Sequence, residues 1–168
     1  MAVAAWTIID DLAGYQPIDV VETTARHLTG TRIKARHETQ GVCEFIYLRL
    51  SSASVVAGDA VVIEISGTIH SAFTLTTANR GSVAISMNAM SQFGYGWFQI
   101  YGRTVAKTGA NTVVSQGQVY ATAAAGTLDD AVVTGALIIG AIFTSVNGTP
   151  AAQQAYIQLS YPFMSGLG

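Results

Sequence analysis

Along most of the chain apolar and polar positions alternate in short bursts, not at helical spacing. Val61, Ile63 and Ile65 share one side of an extended segment while Glu64 and Ser66 take the other. Val83, Ile85 and Met87 repeat the device against Ala84 and Ser86, and Ile157, Leu159 and Tyr161 against Gln158 and Ser160. A period of two puts alternate side chains on opposite faces of a strand, so each run predicts a half-buried strand. Residues 42–50 and 136–143 are apolar on both faces, which predicts strands covered on both sides, within the body or by a neighbouring subunit. Trp97 to Tyr101 is the most aromatic run, and 119–122 reads as one more short strand. Gly, Asn and Ser signals at 57–59, 79–81, 94, 109–111, 116–117 and 147–148 recur at turn-like intervals. No long amphipathic helix is legible. The expected fold is all-β, a compact antiparallel β-barrel or β-sandwich, with the pattern leaving that choice open.

The first forty residues differ. They contain Gly14, Pro17 and Gly30, mixed charges and no sustained period, so 1–40 reads as an extended N-terminal arm with one short strand at 18–23, and 41–168 as the body.

Charge sharpens this division. The chain of 168 residues has eight Lys or Arg and ten Asp or Glu, 11% against the roughly one quarter usual for soluble domains. From Thr108 onward the only charged groups are Asp129 and Asp130, whereas Arg26, Arg32, Lys34, Arg36 and Arg49 lie in the first third. A folded monomer of this mass exposes roughly 8,000 Å², so the charged coat is thin and association is the expected behaviour. A net charge of -2 gives no general attraction to nucleic acid or acidic membranes. No apolar run approaches the roughly 20 residues that span a bilayer, and the N-terminus has no basic leader before Asp10 and Asp11. The expectation is a protein that stays away from membranes and keeps its N-terminus. Cys43 is the single cysteine, so no intrachain disulfide is possible.

Candidate chemistry is sparse. The chain has no Gly-x-Ser-x-Gly elbow, no phosphate-binding glycine loop with Lys and no paired-histidine motif. His27, His37 and His70 read as ordinary histidines, Cys43 as an inert core thiol, and the adjacent Asp129 and Asp130 as a solvated turn that cannot form a dyad. Neither a metal nor a cofactor is expected, and enzyme activity is the least favoured class. If extended, Arg32, Lys34 and Arg36 project from one side as a cationic stripe suited to an acidic protein surface. Glu22 and Glu38 flank it without interleaved aromatics, which disfavours nucleic acid. Trp6, a lone large aromatic near the free end, reads as an anchor for a partner. Tyr95, Trp97 and Tyr101 would suit a carbohydrate-stacking platform, although strand aromatics more often supply core or subunit contact.

The segments 27–32 (HLTGTR), 41–48 (GVCEFIYL) and 56–62 (VAGDAVV) resemble the N-terminal part of the decoration, or cement, proteins of tailed bacteriophages. The likeness continues through 78–87 (ANRGSVAISM), 94–102 (GYGWFQIYG), 120–132 (YATAAAGTLDDAV) and 148–159 (GTPAAQQAYIQL), covering roughly 20–159 in order. The resemblance implies a non-enzymatic virion protein, made in the bacterial cytoplasm and carried on the outer surface of the head. It would be trimeric or otherwise clustered, bridging neighbouring major capsid subunits. Its partners would be the major capsid protein and further copies of itself. The residues expected to make capsid or subunit contact are Trp6, Tyr15, Arg26, Arg32, Lys34, Arg36, Trp97 and Tyr101. Other readings are a head-fibre base, minor coat or tail component, and a carbohydrate-binding β-sandwich.

Overall fold

Turn signals separate strands along the whole chain. A computed structural model describes residues 6–10, 17–110 and 113–166, and among these there is no helix. The strands are β1 (Trp6–Ile8), β2 (Arg32–His37), β3 (Gly41–Leu50), β4 (Ser54–Val55), β5 (Ala60–Ser66), β6 (Ile69–Thr74), β7 (Gly81–Ser86), β8 (Met90–Ser91), β9 (Tyr95–Lys107), β10 (Gln118–Ala121), β11 (Leu128–Asp129), β12 (Leu137–Phe143) and β13 (Gln154–Met164). Eleven form one sheet in the order β1-β2-β3-β6-β5-β7-β9-β13-β12-β10-β11, with β4 and β8 paired apart. Among the described residues the strands pair with one another antiparallel except β3 with β6, and two isolated bridges, Thr108 to Leu128 and Thr149 to Ala155, are also parallel.

The extra pairing of β3 with β9 returns the run β3-β6-β5-β7-β9 to its start, a closed circuit of five strands. Alternate residues of these strands fill its inside: Ile46, Leu48 and Leu50 with Val61, Ala72, Ala84, Phe98 and Ile100. The intervening residues point outward and are buried again by other layers. Phe45, Tyr47 and Trp97 meet Ile18, Ile33 and Ala35 from the N-terminal segment. Ala60, Val62, Val83 and Ile85 meet the lobe built from β10 to β13, with Leu128, Ile138, Phe143, Ile157 and Leu159. This double coverage explains the unbroken apolar run of β3, where Phe45 to Leu48 are all buried.

The same arrangement corrects several expectations. Ala84 and Ser86, read as the solvent side of β7, are buried because the lobe covers one face and the circuit the other. In β5 the half-buried pattern fails differently: the strand starts buried on both faces and ends as an exposed hairpin arm, leaving Ile65 exposed. Strand β12, expected to be covered on both sides, is covered on one, with Ile138 and Phe143 buried and Ile139 exposed, since only the lobe core lies beneath it. Asp129 is buried, not solvated; its carboxylate accepts hydrogen bonds from the amides of Asp130 and Ala131 at 2.8 and 3.3 Å.

The N-terminal segment is also more integrated than an arm. Strand β2 pairs with β3 over six residues, β1 pairs with β2 over three, and Ile18, Ile33 and Ala35 are fully buried. Residues 18–23 form a turn with a single bridge from Glu22 to Tyr95, where a strand was expected.

Candidate functional site

Alternation in β2 decides where its charges go. Ile33 and Ala35 turn inward, so Arg32, Lys34 and Arg36 all stand on the outer face, as their spacing predicts. The register with β3 sets Glu44 opposite Lys34 and Val42 opposite Arg36 on that face. Lys34 Nζ lies 3.3 Å from Glu44 Oε1, and the Tyr161 hydroxyl donates to Glu44 Oε2 at 2.8 Å. This hydrogen bond, more than burial, holds the Tyr161 phenol above its ordinary range. The Tyr101 ring, opposite Glu44 in the β3–β9 register, sits 5.3 Å from that of Tyr161.

Beyond Tyr161 the surface turns apolar. Phe163 lies two residues further along β13, and Ile139 of β12 is its register partner. Exposure is 37% at Tyr101, 51% at Tyr161, 45% at Phe163 and 57% at Ile139. Together these residues make one band across β2, β3, β9, β13 and β12, cationic at one end, aromatic in the middle and aliphatic at the other.

The band depends on a break in β13. Its side chains alternate normally up to buried Leu159, after which Tyr161 takes a positive φ of 49° and the phase changes. Between Ile139 and Ala141 the β12 register advances two residues while β13 advances four, a bulge of the kind that re-aims side chains. Gly140 faces it with φ of 80°, and a Cβ there would stand 2.6 Å from the Ser160 carbonyl oxygen. Tyr161, expected inside with Ile157 and Leu159, is thereby turned out.

The predicted contact residues divide. Arg32, Lys34, Arg36 and Tyr101 come together in the band. Arg26 lies elsewhere, ion-paired with Glu22 at 2.6 Å, its backbone amide donating to the Tyr47 hydroxyl. Trp97 is wholly buried and offers nothing to a partner. Trp6 has an internal site after all, edge-on to Phe45 with centroids 4.9 Å apart and tilted against His37, on the face of β2 opposite the cations. Tyr15 lies outside the described residues. Tyr161, Phe163, Ile139 and Glu44 are members that sequence reading missed.

No family model matches this chain, and no curated protein does.

The remaining chemistry is structural. Among the described residues no three His, Cys, Asp or Glu side chains gather as a metal-binding set. Burial lowers the His27 imidazole pKa, its ring lying against Tyr47 and Trp97. Burial pushes the Cys43 thiol up to about 11, which leaves it protonated and unreactive at neutral pH. The carbohydrate platform loses its centre, because Trp97 is buried and half-buried Tyr95 stacks on Tyr47.

Proposed function

We propose that this chain is a structural virion protein that binds the outer surface of a tailed-phage head and stabilises it by bridging neighbouring major capsid subunits. The observation that carries the reading is the uncovered apolar surface. Fifteen large apolar side chains among the described residues are exposed on a chain with only 18 charged groups. In the band they stand beside Tyr and Arg, residue types enriched where protein surfaces bury one another. The likeness of segments 27–32 through 148–159 to decoration proteins supports the same reading. On this reading the five-strand circuit is a small barrel, and copies of the protein associate, as trimers or another closed cluster, through uncharged faces.

The mechanism is linkage. A protein that binds the assembled shell and not its free subunits raises the free energy needed to take the shell apart, and many simultaneous contacts add by multivalency. The test is to add purified protein to expanded heads of the encoding virus prepared without it. Saturable binding at hundreds of copies per head, with higher thermal resistance, supports the proposal. Absence of saturable binding overturns it, and a copy number of a few per particle favours a fibre-base or tail role.

A further inference from the structure

We propose that the β2 end of the band binds an acidic, extended protein segment whose carboxylates pair with Arg32 and Arg36. This rests on the head-binding reading and names the chemistry of the partner at that surface.

Six of the eight cations of the chain are engaged within it. Arg26, Lys34 and Lys107 are ion-paired with Glu22, Glu44 and Asp59. Arg49 lies over the Phe93 ring at 4.6 Å and Arg103 over Tyr156 at 3.9 Å. Arg80 donates to the carbonyls of Thr77 and Asn79. Arg32 and Arg36 remain. Both are exposed, and among the described residues neither guanidinium has a hydrogen bond, ion pair or ring partner.

Their setting is rigid. Strand β2 is paired with β3 along its whole length and with β1 over residues 35–37, and is pinned from below by Ile33 and Ala35, so the backbone that carries the two arginines is a fixed platform. Among the described residues, two of the nearby carboxylates are committed. Glu44 is held by Lys34 and Tyr161, and Asp10 accepts the Lys34 amide at 2.6 Å from the β1 side. Glu38 lies in the turn after β2 and bounds the site at that end. Four residues of strand separate the two arginines by about 13 Å, the same distance that separates carboxylates four residues apart in an extended partner. A guanidinium fork takes a carboxylate in two parallel hydrogen bonds, which suits this recognition better than a lysine would. Tyr101 and Tyr161, beside Lys34, offer apolar area to the residues between the two acids.

The experiment compares wild type, Arg32→Glu/Arg36→Glu and Arg32→Lys/Arg36→Lys for binding to expanded heads at low and high salt, with circular dichroism to confirm folding. The reversal should lower head affinity at low salt about tenfold or more, and remove most of the salt dependence seen in wild type. The lysine variant should bind more weakly than wild type but better than the reversal. Equal binding by wild type and reversal overturns this proposal and leaves head binding standing. Wild type that binds no heads overturns both. Binding of a short duplex DNA that the reversal abolishes, with head binding unchanged, overturns the acidic-protein assignment in favour of nucleic acid.

Discussion

The layer made by β1 and β2 and the lobe made by β10 to β13 both cover strands of the five-strand circuit, yet they meet solvent with different chemistry. The N-terminal layer buries few residues of its own, among them Ile18, Ile33 and Ala35, and turns Arg32, Lys34 and Arg36 outward. The lobe buries many, from Val113 to Met164, and carries just Asp129 and Asp130 as charged groups. Even these serve the backbone: Asp129 takes the amides of residues 130 and 131, and Asp130 takes the amide of Val114 at 2.8 Å. The outer surface of the lobe is therefore nearly uncharged, with Val132 and Ile139 among its exposed side chains. Covering a sheet requires apolar residues on one face only. The other face is free to differ, and here one layer holds charge suited to selecting a partner while the other holds area suited to burial.

The largest expected effect asks whether both layers belong to one cooperative fold. Trp97→Ala empties a fully buried site under the N-terminal layer, and Phe143→Ala does the same in the lobe. Each should cost about 3–5 kcal/mol in urea unfolding. A loss below about 1 kcal/mol for Trp97→Ala would make the N-terminal layer an appendage.

Next comes the crossing point, where β9 passes from one layer toward the other. Gly102 has φ of 95°, and a Cβ there would stand 2.5 Å from Cys43 Sγ and 3.0 Å from the Val42 carbonyl oxygen. Gly102→Ala should cost about 2 kcal/mol or more, from the left-handed backbone and the overpacking together. A shift in thermal midpoint within error would contradict that geometry.

Trp6→Ala separates an internal role from a partner anchor. Half-buried against Phe45 and His37, it should cost about 2 kcal/mol in the free protein. An anchor would leave free-protein stability unchanged and weaken head binding alone. Cys43 gives a kinetic readout of the same layer. With its thiol near 11 against an ordinary 9.0, alkylation at pH 8 should run about a hundredfold slower in the native protein than in denaturant. Equal rates would mean that β3 is open on its N-terminal side. The smallest effect is expected at Arg32→Ala or Arg36→Ala, within about 0.5 kcal/mol of wild type, because neither guanidinium holds the fold together.

What could be read from sequence followed from how much each local pattern was overdetermined. The all-β class was legible because turn residues punctuate the chain and no 3.6 period competes. The double coverage of β3 was legible because both faces are apolar, and the stripe on β2 because a period of two has one geometric meaning. The N-terminal layer was hidden because few buried side chains anchor it among polar neighbours. Strand β7 misled because Ala84 and Ser86 are small enough to be buried or exposed; Ser86 is buried with its hydroxyl donating to the Asn88 carbonyl. The band was only partly visible. Alternation placed Tyr161 inside, although Pro162 was a signal to the contrary, since proline within a strand marks an edge or a bulge.

The most direct measurement is hydroxyl-radical footprinting of the protein free and bound to expanded heads. The account predicts that oxidation of Tyr161 and Phe163 falls severalfold on binding, while exposed side chains away from every contact keep their rates. Unchanged oxidation of both residues on fully decorated heads would show that the band does not face a partner, and would contradict the account.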